Sequence, residues 1–120
     1  MILADTCIWI DFFRSGGSDF SNLLNQGKIV SHWIVIGELA SGNLPQRPQT
    51  LADLRNLPRI KRATERESLA LIENRSLYGC GLSWNDIQLL ASALVNHTPL
   101  WTNDRRLDTI AADLNANYCP

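Results

Sequence analysis

The first thirteen residues, MILADTCIWIDFF (1–13), change periodicity halfway along, and that change sets the fold class. Met1 to Ala4 is an unbroken apolar run that Asp5 ends. From Thr6 to Arg14 the apolar residues Ile8, Trp9, Phe12 and Phe13 recur at helical spacing until Gly16-Gly17 stops them. This reads as a strand followed directly by a helix. The stretch is apolar, yet it carries Asp5 and Asp11 and has no basic leader, so it is neither a signal peptide nor a membrane span.

The same alternation continues along the chain. Ser18 is placed to cap a helix running to about Asn25, and Lys28 to Ser31 reads as a buried strand. Trp33 to Ser41 is expected to be a helix ending near Gly42. Pro45, Pro48 and Pro58 break the connection over 43–58, around a short helix expected to start near Thr50. Thr64 with Glu67 forms a capping box that opens a helix to about Tyr78, and Ser83 with Asp86 repeats the pattern before the apolar helix Ile87 to Val95. A strand over Leu100 to Thr102, a helix from about Arg105 to Asn115 and a last short strand at Tyr118-Cys119 complete the series. Strands alternating with helices imply a parallel sheet in an α/β sandwich, and 120 residues without repeats or low-complexity segments suit one domain over 1–120.

The bulk numbers exclude several classes. Hydrophobic residues make up 45% and charged residues 19%, which is globular composition rather than disorder. With a formal net charge of −1 there is no global attraction to nucleic acid or membrane, so any polyanion must meet a local patch. The cysteines, Cys7, Cys80 and Cys119, are odd in number and contain no CxxC, which speaks against a disulfide framework or a zinc cluster and for the cytoplasm.

Four acids stand out. Asp5 is the only charge between Met1 and Ile10, Glu38 the only one between Lys28 and Arg47, and Asp86 the only one between Arg75 and Asp104. Asp104 itself follows the Leu100 to Thr102 strand. In a parallel α/β sheet the carboxyl ends of the strands share one edge, so Asp5 and Asp104 are expected to converge there. If Asp86 lies in the first turn of its helix and Glu38 points inward, all four meet. Glu38, set among Ile34, Ile36 and Leu39, reads as a buried carboxylate that calls for a partner. Four acids sharing a pocket repel one another, and a hard divalent cation, Mg²⁺ or Mn²⁺, is the partner that an all-oxygen donor set suits. Against this stands a structural reading: Asp5 and Asp104 are also natural helix caps, and Asp86 is also a capping-box acid.

At these residues the chain resembles the PIN-domain nucleases, in particular the VapC-type toxins of bacterial toxin–antitoxin pairs. The resemblance runs nearly end to end through LADTCIWIDFF (3–13), SHWIVIGELASG (31–42), NDIQLLASAL (85–94) and LWTNDRRL (100–107). Asp5, Glu38, Asp86 and Asp104 match the family's four acids, and Thr6 and Thr102 its supporting hydroxyls. The resemblance implies a Rossmann-like three-layer sandwich and a metal-dependent endoribonuclease, with an RNA substrate among which tRNA is one candidate. It also implies a homodimer and a cognate VapB-like antitoxin that directs a basic side chain at the carboxylates. Asp5, Asp86 and Asp104 would be ligands, direct or through water, and Glu38 either a ligand or the residue that positions the attacking water. Where many relatives carry another acid two residues after the fourth, this chain has Arg106, which leaves one ion or two open.

Other features carry less. Arg55, Arg59, Lys61, Arg62 and Arg66 form the one basic cluster, suited to RNA phosphates, an antitoxin contact or a solvated helix face. Trp9, Trp33, Trp84 and Trp101 are expected to pack in the core or a dimer interface rather than stack on bases. His32 and His97 are assigned no chemistry. An aspartate-nucleophile phosphotransferase would want a second acid where Cys7 stands. A binding module whose acids only grip a basic partner segment is the non-enzymatic alternative.

Overall fold

A computed structural model describes residues 1–120. Strand β1 (Ile2–Ala4) is central, flanked by β2 (Ile29–Val30) and β3 (Leu100–Trp101) in the order β2-β1-β3, all parallel. Leu3 pairs with Val30 on one side and with Leu100 on the other. Every residue of β1 and β2 is buried, as expected of parallel strands covered on both faces.

Helices α1 (Thr6–Ser15) and α2 (Ser18–Asn25) join β1 to β2. Helices α3 (Trp33–Ser41), α4 (Arg47–Arg55), α5 (Glu65–Arg75) and α6 (Trp84–Val95) lead to β3, and α7 (Arg105–Asp113) follows it. The crossover from β1 to β2 and the one from β2 past β1 to β3 run in opposite directions across the sheet. With both right-handed, their helices cover opposite faces, which gives the three layers. Leu3, Ile29 and Leu100 are sealed between Leu89, Leu90 and Ala93 of α6, Leu107 and Ala111 of α7, and the Trp9 and Phe20 cluster of α1 and α2.

The boundaries differ from the sequence reading at identifiable places. Helix α4 starts at Arg47 rather than near Thr50, because Pro48 sits in its first turn, where a missing N–H costs nothing. Helix α5 stops at Arg75 rather than Tyr78, its cap Ser76 turning left-handed at φ 53°. No strand forms at Tyr118-Cys119. The chain makes a single parallel bridge, Asn117 to Leu100, with Tyr118 N–H donating to the Leu100 carbonyl at 2.8 Å. The exposed Cys119 and Pro120 do not extend it, and proline has no N–H to offer a ladder. On the other edge, Ser31 bridges Arg59 in the same one-residue manner.

Candidate active site

The strand order reverses direction at β1, and the crevice outside its carboxyl end is where such sheets expose a cleft. Asp5 stands there, 8% exposed, as the first residue after the strand and the N-cap of α1. Its Oδ1 accepts from Thr6 N–H at 2.7 Å. Its Oδ2 accepts from the Thr102 hydroxyl at 2.8 Å. Thr102, one residue past β3, also accepts from Asp104 N–H at 3.1 Å, so a single hydroxyl ties the ends of the two strands together.

Asp104 caps α7, its Oδ1 accepting from Leu107 N–H at 3.0 Å. Glu38 reaches the site from α3, where its Oε1 accepts from the Thr6 hydroxyl at 3.0 Å. Asp86 closes the capping box of α6, its Oδ2 accepting from Ser83 N–H at 3.0 Å. Asp86 also lies near enough for its charge to act on Asp5. Thr6 and Thr102 therefore link three of the four acids, Asp5, Glu38 and Asp104, while Asp86 is bonded only within its own capping box and acts on Asp5 through its charge. No three of them close into a cage around a point.

One expectation is corrected. Glu38 is exposed, not buried. Helix α3 turns Ile34, Val35 and Leu39 to the core, while Trp33, Gly37, Glu38 and Ser41 lie on its wet side, so water and Thr6 serve the carboxylate. Asp5 is the acid under stress. Burial pushes its carboxyl above the usual carboxylate range and the Asp86 charge adds to this, outweighing the bonds from Thr102, Thr6 and Cys7 that act the other way.

Cys7 was not picked out by the sequence reading. Its thiol lies 3.8 Å from Asp5 Oδ2 and 3.6 Å from the Thr102 hydroxyl, and Asn103 N–H donates to its sulfur at 3.3 Å. Burial raises its pKa, so it stays a neutral thiol that fills the floor of the site. Its place two residues after Asp5 was the only sequence signal. The tryptophans divide: Trp9 is buried, Trp101 is half-buried, and Trp33 and Trp84 are 52% and 44% exposed, outside the core.

The donor chemistry fits a hard cation. Glu38 Oε2, Asp86 Oδ1 and Asp104 Oδ2 remain outside the bonds described, and a divalent ion would relieve the buried charge of Asp5. Carboxylates spaced this openly suit an ion that keeps several of its waters.

A parallel sheet that gathers isolated carboxylates at its switch point defines the class, and the chain belongs to the PIN domain family, which it matches over residues 2–113. Among individual proteins it is similar to Ribonuclease VapC32 of Mycobacterium tuberculosis. The identity is 40% over 114 residues, covering 94% of this chain and 92% of the relative, in both the CDC 1551 / Oshkosh and the ATCC 25618 / H37Rv strains.

Proposed function

We propose that the protein is a metal-dependent endoribonuclease, the toxin of a VapC-type toxin–antitoxin pair, with residues 1–120 acting as one domain. The observation that carries this reading is Asp5, a carboxylate at the sheet's switch point, oriented by Thr102, whose pKa is raised by burial with the Asp86 charge adding to it. The ribonuclease names of the relatives support it.

Asp5, Asp86 and Asp104 would hold Mg²⁺ or Mn²⁺ directly or through water. Such an ion supplies a water of lowered pKa and neutralises charge at the phosphoryl centre. The chain's own residues do the positioning. Thr102 holds Oδ2 of Asp5 and the backbone of Asp104, while Thr6 holds one oxygen of Glu38 and leaves the other free to accept a proton from the attacking water.

A VapB-like antitoxin neutralises the enzyme by covering the acids with a basic side chain. An apolar recess of about 310 Å³ beside Glu38, lined by Ile10, Phe13, Leu39 and Leu44, suits the segment that brings that side chain in. The substrate is RNA, with tRNA among the candidates. The protein works as a homodimer in the cytoplasm. No helix is long and apolar enough to cross a membrane.

One observation favours a non-catalytic binding module. Asp5, Asp86 and Asp104 all serve as helix caps and so have structural employment. Incubating purified protein with a total bacterial RNA pool and Mg²⁺ or Mn²⁺, beside EDTA and Asp5→Asn controls, separates the two. The nuclease gives discrete fragments only with metal and Asp5. RNA left intact by folded, antitoxin-free protein supports the binding module.

A further inference from the structure

Arg106 is the second residue of α7, two positions beyond Asp104, and the fold makes a specific place for it. Gly81, in the turn before α6, has φ +91°. A β-carbon built on it would lie 1.9 Å from Arg106 Nη1, 2.7 Å from Cζ and 3.1 Å from Cδ. The guanidinium thus rests directly on the Gly81 backbone, in space that any other residue would fill. Gly81, Asp104, Arg105, Arg106 and Thr109 line one open recess of about 640 Å³, so the cation shares a wall with one of the four acids.

None of the four acids bonds to this guanidinium. Their partners are backbone amides, threonine hydroxyls and the Cys7 thiol. A planar five-donor fork held against backbone, next to an acidic edge yet unspent on it, is built to receive an anion from outside. RNA approaching that edge meets carboxylates, and the chain's net charge of −1 gives no global attraction to offset them. A fixed cation at the margin is where the strand's own negative charge can be met.

We propose that Arg106, seated on Gly81, binds a backbone phosphodiester of the RNA strand as it crosses the acidic edge. The inference rests on the nuclease reading. Because a phosphate contact carries no sequence information, it is measurable on RNA of arbitrary sequence.

The test is binding of a labelled short oligouridylate in EDTA, across a salt series, to wild type, Arg106→Gln and Arg106→Lys, with cleavage of total RNA in Mg²⁺ run in parallel. Arg106→Gln is expected to weaken binding roughly ten-fold and to make the slope of log K against log salt shallower by about 0.7, the share of one single-strand phosphate. Arg106→Lys keeps the charge, and so the slope, while losing part of the affinity with the fork. An oligouridylate that does not bind wild type, or binds it and Arg106→Gln with the same slope, overturns the proposal. Failure of the wild type to cleave RNA is a separate result that sinks the nuclease reading instead.

Discussion

At the scale of single residues, Asp5 pulls function and stability apart. The folded protein holds the Asp5 proton more tightly than the unfolded chain does, so the stability linked to this group is greatest at low pH and is lost as pH rises through its raised pKa. Asparagine at position 5 removes that loss while still accepting from Thr6 N–H. Asp5→Asn is therefore expected to abolish cleavage and to melt higher than wild type at pH 7 in EDTA. Added Mg²⁺ should reverse the order, because a ligand at 100 times its Kd stabilises only the binding-competent protein, by about 2.7 kcal/mol. Melting curves with and without metal check both halves, and a variant no more stable than wild type in EDTA contradicts the first. Thr102 is the complementary case. Thr102→Val removes the bond to Asp5 and strands the Asp104 N–H, so cleavage is expected to fall about 10- to 100-fold, the usual effect of losing a group that orients a metal ligand. Near-UV circular dichroism matching wild type would assign the loss to orientation rather than unfolding.

At the scale of elements, His32 joins three segments. Its Nδ1 accepts from Ile34 N–H, capping α3, which leaves Nε2 to carry the proton and donate to Ser92 Oγ of α6 at 3.0 Å. Ser92 Oγ in turn accepts from Ala63 N–H and donates to the Gln88 carbonyl. Burial, with the Arg62 charge behind it, pushes the His32 pKa down to about 4. In the unfolded chain it titrates near 6.5, so between those values the unfolded state takes up a proton that the folded state refuses. Stability contributed here is full above pH 6.5 and lost as pH falls toward about 4. Urea midpoints measured across that window should drop for wild type and change less for His32→Gln, and parallel curves would remove His32 as the cause. This role left no trace in the sequence, because a lone histidine takes its meaning from a residue sixty positions away. What was legible was local. Both capping boxes, Thr64 with Glu67 and Ser83 with Asp86, form as read because their partners lie within one turn. Pro48 was misread for the opposite reason, since a proline that breaks a helix interior starts a helix just as readily. Asp5 and Asp104 were legible as a pair because strand ends in a parallel sheet share an edge. Glu38 reaches Thr6 beside Asp5 but is exposed rather than buried, since which side of α3 stays wet is decided by packing rather than by spacing.

At the scale of the whole molecule, the surface holds one feature that a monomer does not explain. Trp33 and Trp84 are the first residues of α3 and α6, both largely exposed. Arg62 lies 4.5 Å above the Trp33 ring and lines the same recess as Trp84, which makes the three a continuous patch. Two indoles left in water forgo burial that each would otherwise gain, and aromatic and arginine side chains are the types that concentrate at the centre of protein interfaces. A homodimer built on this patch would bury both rings. Substituting both tryptophans is then expected to shift the protein from dimer to monomer while leaving the fold intact, because neither ring belongs to the core cluster. Sedimentation equilibrium over a hundred-fold range of concentration reads this directly. A Trp33→Ser, Trp84→Ser variant that keeps the wild-type mass throughout places the interface elsewhere, and a wild type that is monomeric throughout removes the homodimer altogether. If the variant is monomeric, its cleavage of total RNA separates two further possibilities: activity equal to wild type means that each copy carries a complete site, whereas activity lost with the dimer means that RNA needs both.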